Sequence, residues 1–333
     1  MKPFKTQWLF AGLIVAMLAV ACGGEGSDDT TTTAASSTSA ATETTDTDAA
    51  GDAYKLGLIT KFPVDFFFTI EDAAKAWADQ HPDVELITGM GASASDDEGV
   101  IALIESMVAQ GVDGIAITPT GEAVIPALDA AIEAGVKIVL IDNDLPDWTG
   151  KSAVVATDNY QGGFLAGEWL AENLPAGSTL GVLEGRAGVP ALDDRVTGMI
   201  DGLGDADITI VSQTPTDCDQ VMGVSATEDM LTANPDVTAI YAACGPPIIG
   251  AIEAIDNAGI APEDIVVVGF DALPDEITAI QAGTEDASIA QFPPKMGELG
   301  VDTLYRVVIG ESVEPNVDTG TAVVTPDNVN DFG

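Results

Sequence analysis

From Tyr54 onward, short β-branched apolar runs alternate with amphipathic stretches almost without interruption. Residues 55–60 read as a strand and 66–79 as a helix, then 84–88 as a strand and 96–109 as a helix. Strand 114–118, helix 122–134 and strand 137–141 extend the series. Beyond Val155 the pattern starts again: helix 162–173, strand 179–183, helix 191–203, strand 208–211, helix 220–232, strand 237–242, helix 248–258 and strand 265–270, with 287–290 as a later strand. The strand runs are apolar at consecutive positions, as strands covered by helices on both faces must be. Two doubly wound parallel α/β sheets, one per half, are the expected architecture. Gly111, Gly135 and Gly259 fall just past helix ends, where a left-handed residue is needed. Trp77 and Trp169 lie on apolar helix faces and read as core, and His81 reads as a turn residue.

Before Tyr54 the pattern is different. Lys2 and Lys5 precede an apolar stretch over 8–20, shorter than the roughly 20 residues a bilayer span needs. Residues 1–21 therefore read as a cleaved export signal. Leu18-Ala19-Val20-Ala21-Cys22-Gly23 resembles a bacterial lipobox, in which Cys22 is acylated after cleavage; plain secretion with a free Cys22 is the alternative. Residues 22–53 are Cys22 followed by Gly, Ser, Thr, Ala, Asp and Glu with almost nothing to bury, and read as a lipidated cysteine with a disordered tether to the membrane. The expected location is exported, at the cell surface or in the periplasm, held by the lipid alone.

Composition then narrows the partners. With 54 acidic against 11 basic residues and a formal charge of −43, binding to nucleic acid or to anionic lipid surfaces is opposed by self-repulsion. The acidity itself reads as a solvated surface. With Cys22 committed to lipid, Cys218 and Cys244 remain; in an oxidising compartment they suggest a disulfide closing a loop of about 26 residues, worth about 3 kcal/mol in the chain-entropy picture. Two unpaired thiols are an alternative, and so is a metal site, for which His81 is the one imidazole in the sequence. No metal or cofactor is expected.

In a parallel α/β sheet the carboxyl ends of strands carry function. Here those ends deliver an aromatic cluster at 61–68 including Lys61, Phe66 and Phe67, then Asp142, Asn143, Asp144 and Trp148, then Glu184-Gly185-Arg186, Cys218-Asp219, Cys244-Gly245, Asp271 and Gln291. Carboxylates and amides can each take two hydroxyls, with charged hydrogen bonds worth roughly 1.5 to 3 kcal/mol, while rings cover a C–H face. That inventory suits a polyhydroxylated guest. Asp65 and Asp219 read instead as helix N-terminal acids.

Val266-Val267-Val268-Gly269-Phe270-Asp271-Ala272-Leu273-Pro274-Asp275, then Ser288-Ile289-Ala290-Gln291-Phe292-Pro293, together with Thr157-Asp158-Asn159 before Gly162-Gly163, resembles the ribose/galactose-type sugar-binding proteins of bacterial ABC importers. The resemblance runs from Tyr54 to the end. It implies a type I periplasmic binding protein fold: two Rossmann-like lobes joined by three crossing strands, with residues 54–157 and 292–322 in one lobe and 158–291 and 323–333 in the other. It implies ring-stacking by Phe66 and Phe67, hydrogen bonding by Asp142, Asp271 and Gln291, a small hydroxyl at Thr60, and Arg195 as a family match. Departures stand at Asn143 and Asp193, where ribose binders carry arginines, and at Cys218 and Cys244, where a ring and an amide would stand. With Asp144 and Asp193 added, a larger neutral sugar, a polyol or an amino sugar fits better than ribose. A monomer that hands its ligand to an ABC permease is expected.

An enzyme, a sensor and a DNA-binding regulator are the other classes to set against these residues. Gly89-Met90-Gly91-Ala92-Ser93-Ala94 superficially resembles a dinucleotide fingerprint but lacks its third glycine, and no catalytic triad remains once His81 is set aside. A sensor passing its ligand state to a membrane kinase would share the same fold and cleft. A DNA-binding regulator would need a helix pair where this chain has signal and tether.

Overall fold

The structure is a computed structural model and describes residues 53–332; the expected signal, Cys22 and the tether up to residue 52 lie outside the described residues. The first half runs β1 (Tyr54–Thr60), α1 (Asp65–Ala78), β2 (Val84–Met90), α2 (Asp97–Ala109), β3 (Gly114–Ile117), α3 (Ile125–Glu133), β4 (Lys137–Ile141) and β5 (Ala153–Ala156). The second runs α4 (Asn159–Asn173), β6 (Ser178–Glu184), α5 (Pro190–Gly202), β7 (Ile208–Pro215), α6 (Gln220–Ala233), β8 (Ala239–Ala242), α7 (Gly245–Asn257), β9 (Val266–Asp271), α8 (Pro274–Ala282) and β10 (Ala287–Ala290). α9 (Pro293–Val308), β11 (Asn316–Asp318) and β12 (Ala322–Val324) complete the chain.

Two six-stranded sheets result, ordered β11-β5-β4-β3-β1-β2 and β12-β10-β9-β8-β6-β7. All pairings are parallel except β10 with β12. The chain passes between lobes three times: after β5, after β10, and between β11 and β12. Ala322 pairs with Ala290 and so sits in the second sheet, one residue ahead of the boundary read from sequence.

The strand period of two explains why each sheet needs two helical layers. In the first lobe Ile59, Ile115, Ile117, Ile138 and Leu140 join the cluster that includes Ile104 of α2 and Leu128 of α3. Their neighbours Leu56, Leu58, Ala116, Val139 and Ile141 join the opposite cluster, with Ile70 of α1 and Leu304 of α9. The second lobe repeats the arrangement: Val268 and Phe270 face one cluster while Val267 faces the other. Each strand end is thereby fixed from both sides.

Helix ends agree with the punctuation read from sequence: Gly111, Gly135 and Gly259 have φ of 75°, 97° and 71°. α4 starts at Asn159, three residues earlier than periodicity suggests, with Asp158 accepting from the Gln161 amide; Asp219 likewise caps α6 through Met222. Asp65 is the first residue of α1 rather than its cap, which is Val64. Trp77 is core, and His81 stacks on it at 3.7 Å while its Nδ1 donates to the Trp77 carbonyl. α4 and α5 meet at near backbone contact: a Cβ at Gly163 would strike the Arg195 carbonyl, and one at Gly198 the Tyr160 carbonyl. That contact seats Arg195 next to Asn159. Among the described residues no helix is long and apolar enough to cross a membrane.

Candidate functional site at the strand ends

The site in the second lobe is built around Asp271, the last residue of β9. Its carboxylate accepts from Arg195 Nη1 at 3.0 Å and from Gln291 Nε2 at 2.6 Å on one oxygen, and from the Gly245 amide at 3.1 Å on the other. Donors from α5, from the residue after β10 and from the start of α7 thus converge on one acid. Arg195 is 4% exposed. Its Nε donates to Asn159 Oδ1 at 2.8 Å, its Nη1 also reaches the Ala243 carbonyl at 2.9 Å, and its guanidinium lies 3.9 Å from the Phe270 ring centre. A buried guanidinium with an ion pair, two neutral acceptors and a ring face is compensated on every side.

Cys218 and Cys244 are joined, with Cα atoms 5.5 Å apart. Cys244 stands between Ala243, which holds Arg195, and Gly245, which holds Asp271. The bond therefore ties the start of α7, and with it both contacts, to the loop after β7, where Asp217 and Cys218 have φ of 51° and 56°. Cys244 is 2% exposed, and its sulfur is committed to the bridge.

The first lobe presents a looser set. Thr60 ends β1, Lys61 follows it, and Thr118 follows β3. Asp142 follows β4 with a φ of 66°. Burial lowers the Lys61 ammonium pKa, opposed by the nearby Asp142. The Asp142 carboxyl is pushed up to about 6, chiefly by burial and also by Asp271, with Lys61 and Arg195 pulling the other way. Charges from both lobes thus act on Asp142 and Lys61. Thr60 Oγ1, Thr118 Oγ1 and Gln291 Oε1 are buried without a hydrogen-bond partner among the described residues. Such atoms cost stability until something pairs with them.

A cavity of about 410 Å³ opens between the lobes, with Asp142, Asp144 and Pro146 on one side and Asn159, Pro190 and Asp194 on the other. A smaller one of about 110 Å³ beside it is lined by Thr120, Asn143 and Val189 among others. A recess of about 330 Å³ lies on the outer face of the second lobe between α6, α7 and β9, away from the strand ends that carry this chemistry. Phe66 and Phe67, at 8% and 5% exposure, belong to the first-lobe core cluster, and Leu273 from the second lobe packs against that same cluster. The lobes therefore touch near the aromatic patch. Asp144 is paired with Lys151 at 2.6 Å and Asn143 donates to the Pro119 carbonyl.

Two sequence expectations are corrected. Trp148 is core, not cleft wall: it is 8% exposed in the first-lobe cluster and its Nε1 donates to Asp129 at 2.8 Å. Asp193 is exposed on α5, and the next residue, Asp194, lines the cavity, its pKa raised by burial and by Asp158 and Asp193. Asn159 and Thr118 were missed; a polar residue directly after a strand was the available signal for Thr118, whereas Asn159 requires the α4–α5 seam. Among the described residues no group of His, Cys, Asp and Glu is arranged to hold a metal ion.

Residues 56–312 match the family model described as a periplasmic binding protein domain. The chain belongs to this family. A D-ribose/D-allose-binding protein of Pseudomonas aeruginosa is 30% identical over 261 residues, 76% of this chain and 82% of that protein. An ABC transporter solute binding protein of Actinobacillus succinogenes, solved with D-allose, superposes with a TM-score of 0.78 at 28% identity, covering 84% of this chain and 99% of that one. One from Bacillus halodurans, solved with myo-inositol, gives 0.79 at 24% identity, covering 86% and 99%, a likeness of fold. This periplasmic binding protein thus shares its two-lobed build with proteins that hold small polyhydroxylated rings.

Proposed function

We propose that this protein captures a sugar or cyclic polyol between its lobes and delivers it, chemically unchanged, to an ABC permease, from a position outside the cytoplasm secured by a lipid on Cys22. The observation that carries the reading is the set of buried polar atoms without partners, Thr60 Oγ1, Thr118 Oγ1 and Gln291 Oε1, at strand ends of both lobes. Hydroxyls of a guest are the chemistry that pairs with them. Asp271, Asp142 and Asn143 add carboxylate and amide partners, Arg195 a cationic one, and Phe66 and Phe67 an apolar face. The ligands named for the two relatives above, D-ribose or D-allose and D-allose, support the same class.

A guest touching both lobes stabilises the closed form by its differential affinity; moving from 1:99 to 99:1 takes about 5.5 kcal/mol, within reach of a few buried charged hydrogen bonds. The family is one of periplasmic binding proteins, which supports release of an unaltered guest. The test is a thermal-shift screen of the domain against D-ribose, D-allose, myo-inositol and amino sugars, followed by mass spectrometry of the recovered ligand. A hit raises the melting point by mass action. No hit across the panel, or a converted product, overturns the reading.

A further inference from the structure

Beneath the Asp271 turn lies a second pair of acids that ligand capture does not use. Glu276, in the first turn of α8, and Glu285, in the connector before β10, are 0% and 1% exposed. Both crowd the Gly269 α-carbon in β9, where a Cβ would strike Glu276 Oε1 and Glu285 Oε1. Glu276 is wired to the backbone that follows Asp271. Its Oε2 accepts from the Leu273 amide at 2.9 Å, and its Oε1 from Ser288 Oγ at 2.7 Å; Ser288 Oγ in turn accepts from the Ala272 amide at 3.0 Å.

Those two amides belong to a turn that needs holding. Asp271 and Ala272 have φ of 101° and 49°, a region L-residues rarely adopt and keep only where neighbours over-determine it. The Glu276–Ser288 chain fixes two successive amides and so fixes the direction in which the Asp271 carboxylate leaves the strand. Neither Glu285 oxygen is satisfied by a well-formed hydrogen bond among the described residues; its neighbours are the Glu276 carboxyl and the Gly269 amide. Two adjacent buried carboxylates, with Asp271 a third, cannot all stay ionised, and one proton shared between the pair relieves the conflict.

We propose that Glu276, with a proton held on Glu285, is a positioning residue for the Asp271 carboxylate, so that sugar affinity depends on protonation of the pair. The proposal rests on the reading of Asp271 as a ligand contact. The charged groups facing the pair are Asp271 on β9 and Asp286 beside Glu285; α7 presents the Gly245 backbone and the apolar Ile248 side chain. Burial holds both carboxyls above the ordinary range. The folded-state values exceed the unfolded ones, so the pair holds its protons fully below the ordinary carboxylate pKa and loses them as pH rises through the raised values, about 8 for Glu276.

The test combines calorimetric affinity for D-ribose, D-allose or myo-inositol with amide hydrogen exchange at Ala272 and Leu273, from neutral pH to above 8. Wild type loses affinity about tenfold across that range while both amides exchange faster. Glu285→Gln, whose amide keeps a hydrogen at that position at every pH, flattens the profile. Glu276→Gln and Ser288→Ala each lower neutral-pH affinity about tenfold and speed the same amides, with melting and circular dichroism reporting an intact fold. If Glu276→Gln does not fold, Ser288→Ala and Glu285→Gln decide the matter. Coincident pH profiles for wild type and Glu285→Gln, or unchanged exchange in Ser288→Ala, overturn the proposal. If no sugar binds, or Asp271→Ala binds as wild type does, capture at Asp271 falls, and exchange at the two amides still decides whether Glu276 holds the turn.

Discussion

The two rims of the cleft are organised in opposite ways. In the second lobe the charged groups of the site are already engaged, and Gln291 Oε1 is the buried polar atom left over: Asp271 takes three donors, Arg195 reaches three acceptors, and a disulfide pins the segment between them. In the first lobe Thr60 Oγ1 and Thr118 Oγ1 have no hydrogen-bond partner among the described residues, the Asp142 carboxyl pKa is raised by burial, and that of Lys61 is lowered by it. The second rim is a prepared seat and the first a set of unmet needs. Preorganisation reduces the cost of ordering on binding, so a guest settles first on the second lobe, and the unpaired groups opposite supply the preference for closure.

That contrast predicts where substitutions act. Asp271→Ala strands a buried guanidinium and so costs about 3–5 kcal/mol of stability, together with at least about a tenfold loss of sugar affinity; calorimetry and chemical denaturation measure the two, and unchanged affinity would remove Asp271 from the site. Opening the Cys218–Cys244 bond by a Cys218→Ser, Cys244→Ser pair costs about 3 kcal/mol and weakens binding through the shifted Gly245 amide, whereas wild type unfolded without reductant titrates with no free thiol from this pair. On the first rim the signs reverse. Asp142→Asn raises the melting point of the ligand-free protein by about 2 °C at neutral pH, where a cost of about 1 kcal/mol is removed. Because the folded-state pKa of Asp142 is raised, its contribution is fully present below the ordinary aspartate value and lost as pH rises through about 6; the variant therefore lacks the part of the stability gain that wild type shows on acidification through that value. Thr60→Val is neutral to mildly stabilising without ligand, by less than about 1 kcal/mol, and lowers sugar affinity a few-fold. Equal losses on both rims would erase the distinction.

The architecture was legible because it is written in periodicity. Ile59 and Leu58 are adjacent and both apolar, and they go to opposite core clusters, as a strand with two helical coats demands. Asp142, Asp271 and Gln291 are legible as candidates because strand ends are readable and their neighbouring residues match a known pattern. What escaped depends on orientation. A helix turns about 100° per residue, so whether Asp193 or Asp194 meets the cavity hinges on a phase that adjacent acids do not reveal. Trp148 follows a strand as a cleft residue would, yet its ring goes to the core because Asp129 on α3 offers its Nε1 a partner. Asn159 acquires its role only once glycines let α4 and α5 touch, a fact of three dimensions. The helices after Phe270 are the least legible: α8 spans 9 residues, and both it and α9 open on a proline.

Three separate passages of the chain between the lobes carry a mechanical consequence. A protease that severs any one of them leaves the halves joined by the other two, so a clipped receptor stays whole and keeps its alignment. Losing the final passage alone would strip an edge strand from each sheet, β11 from one and β12 from the other, and both halves would weaken together.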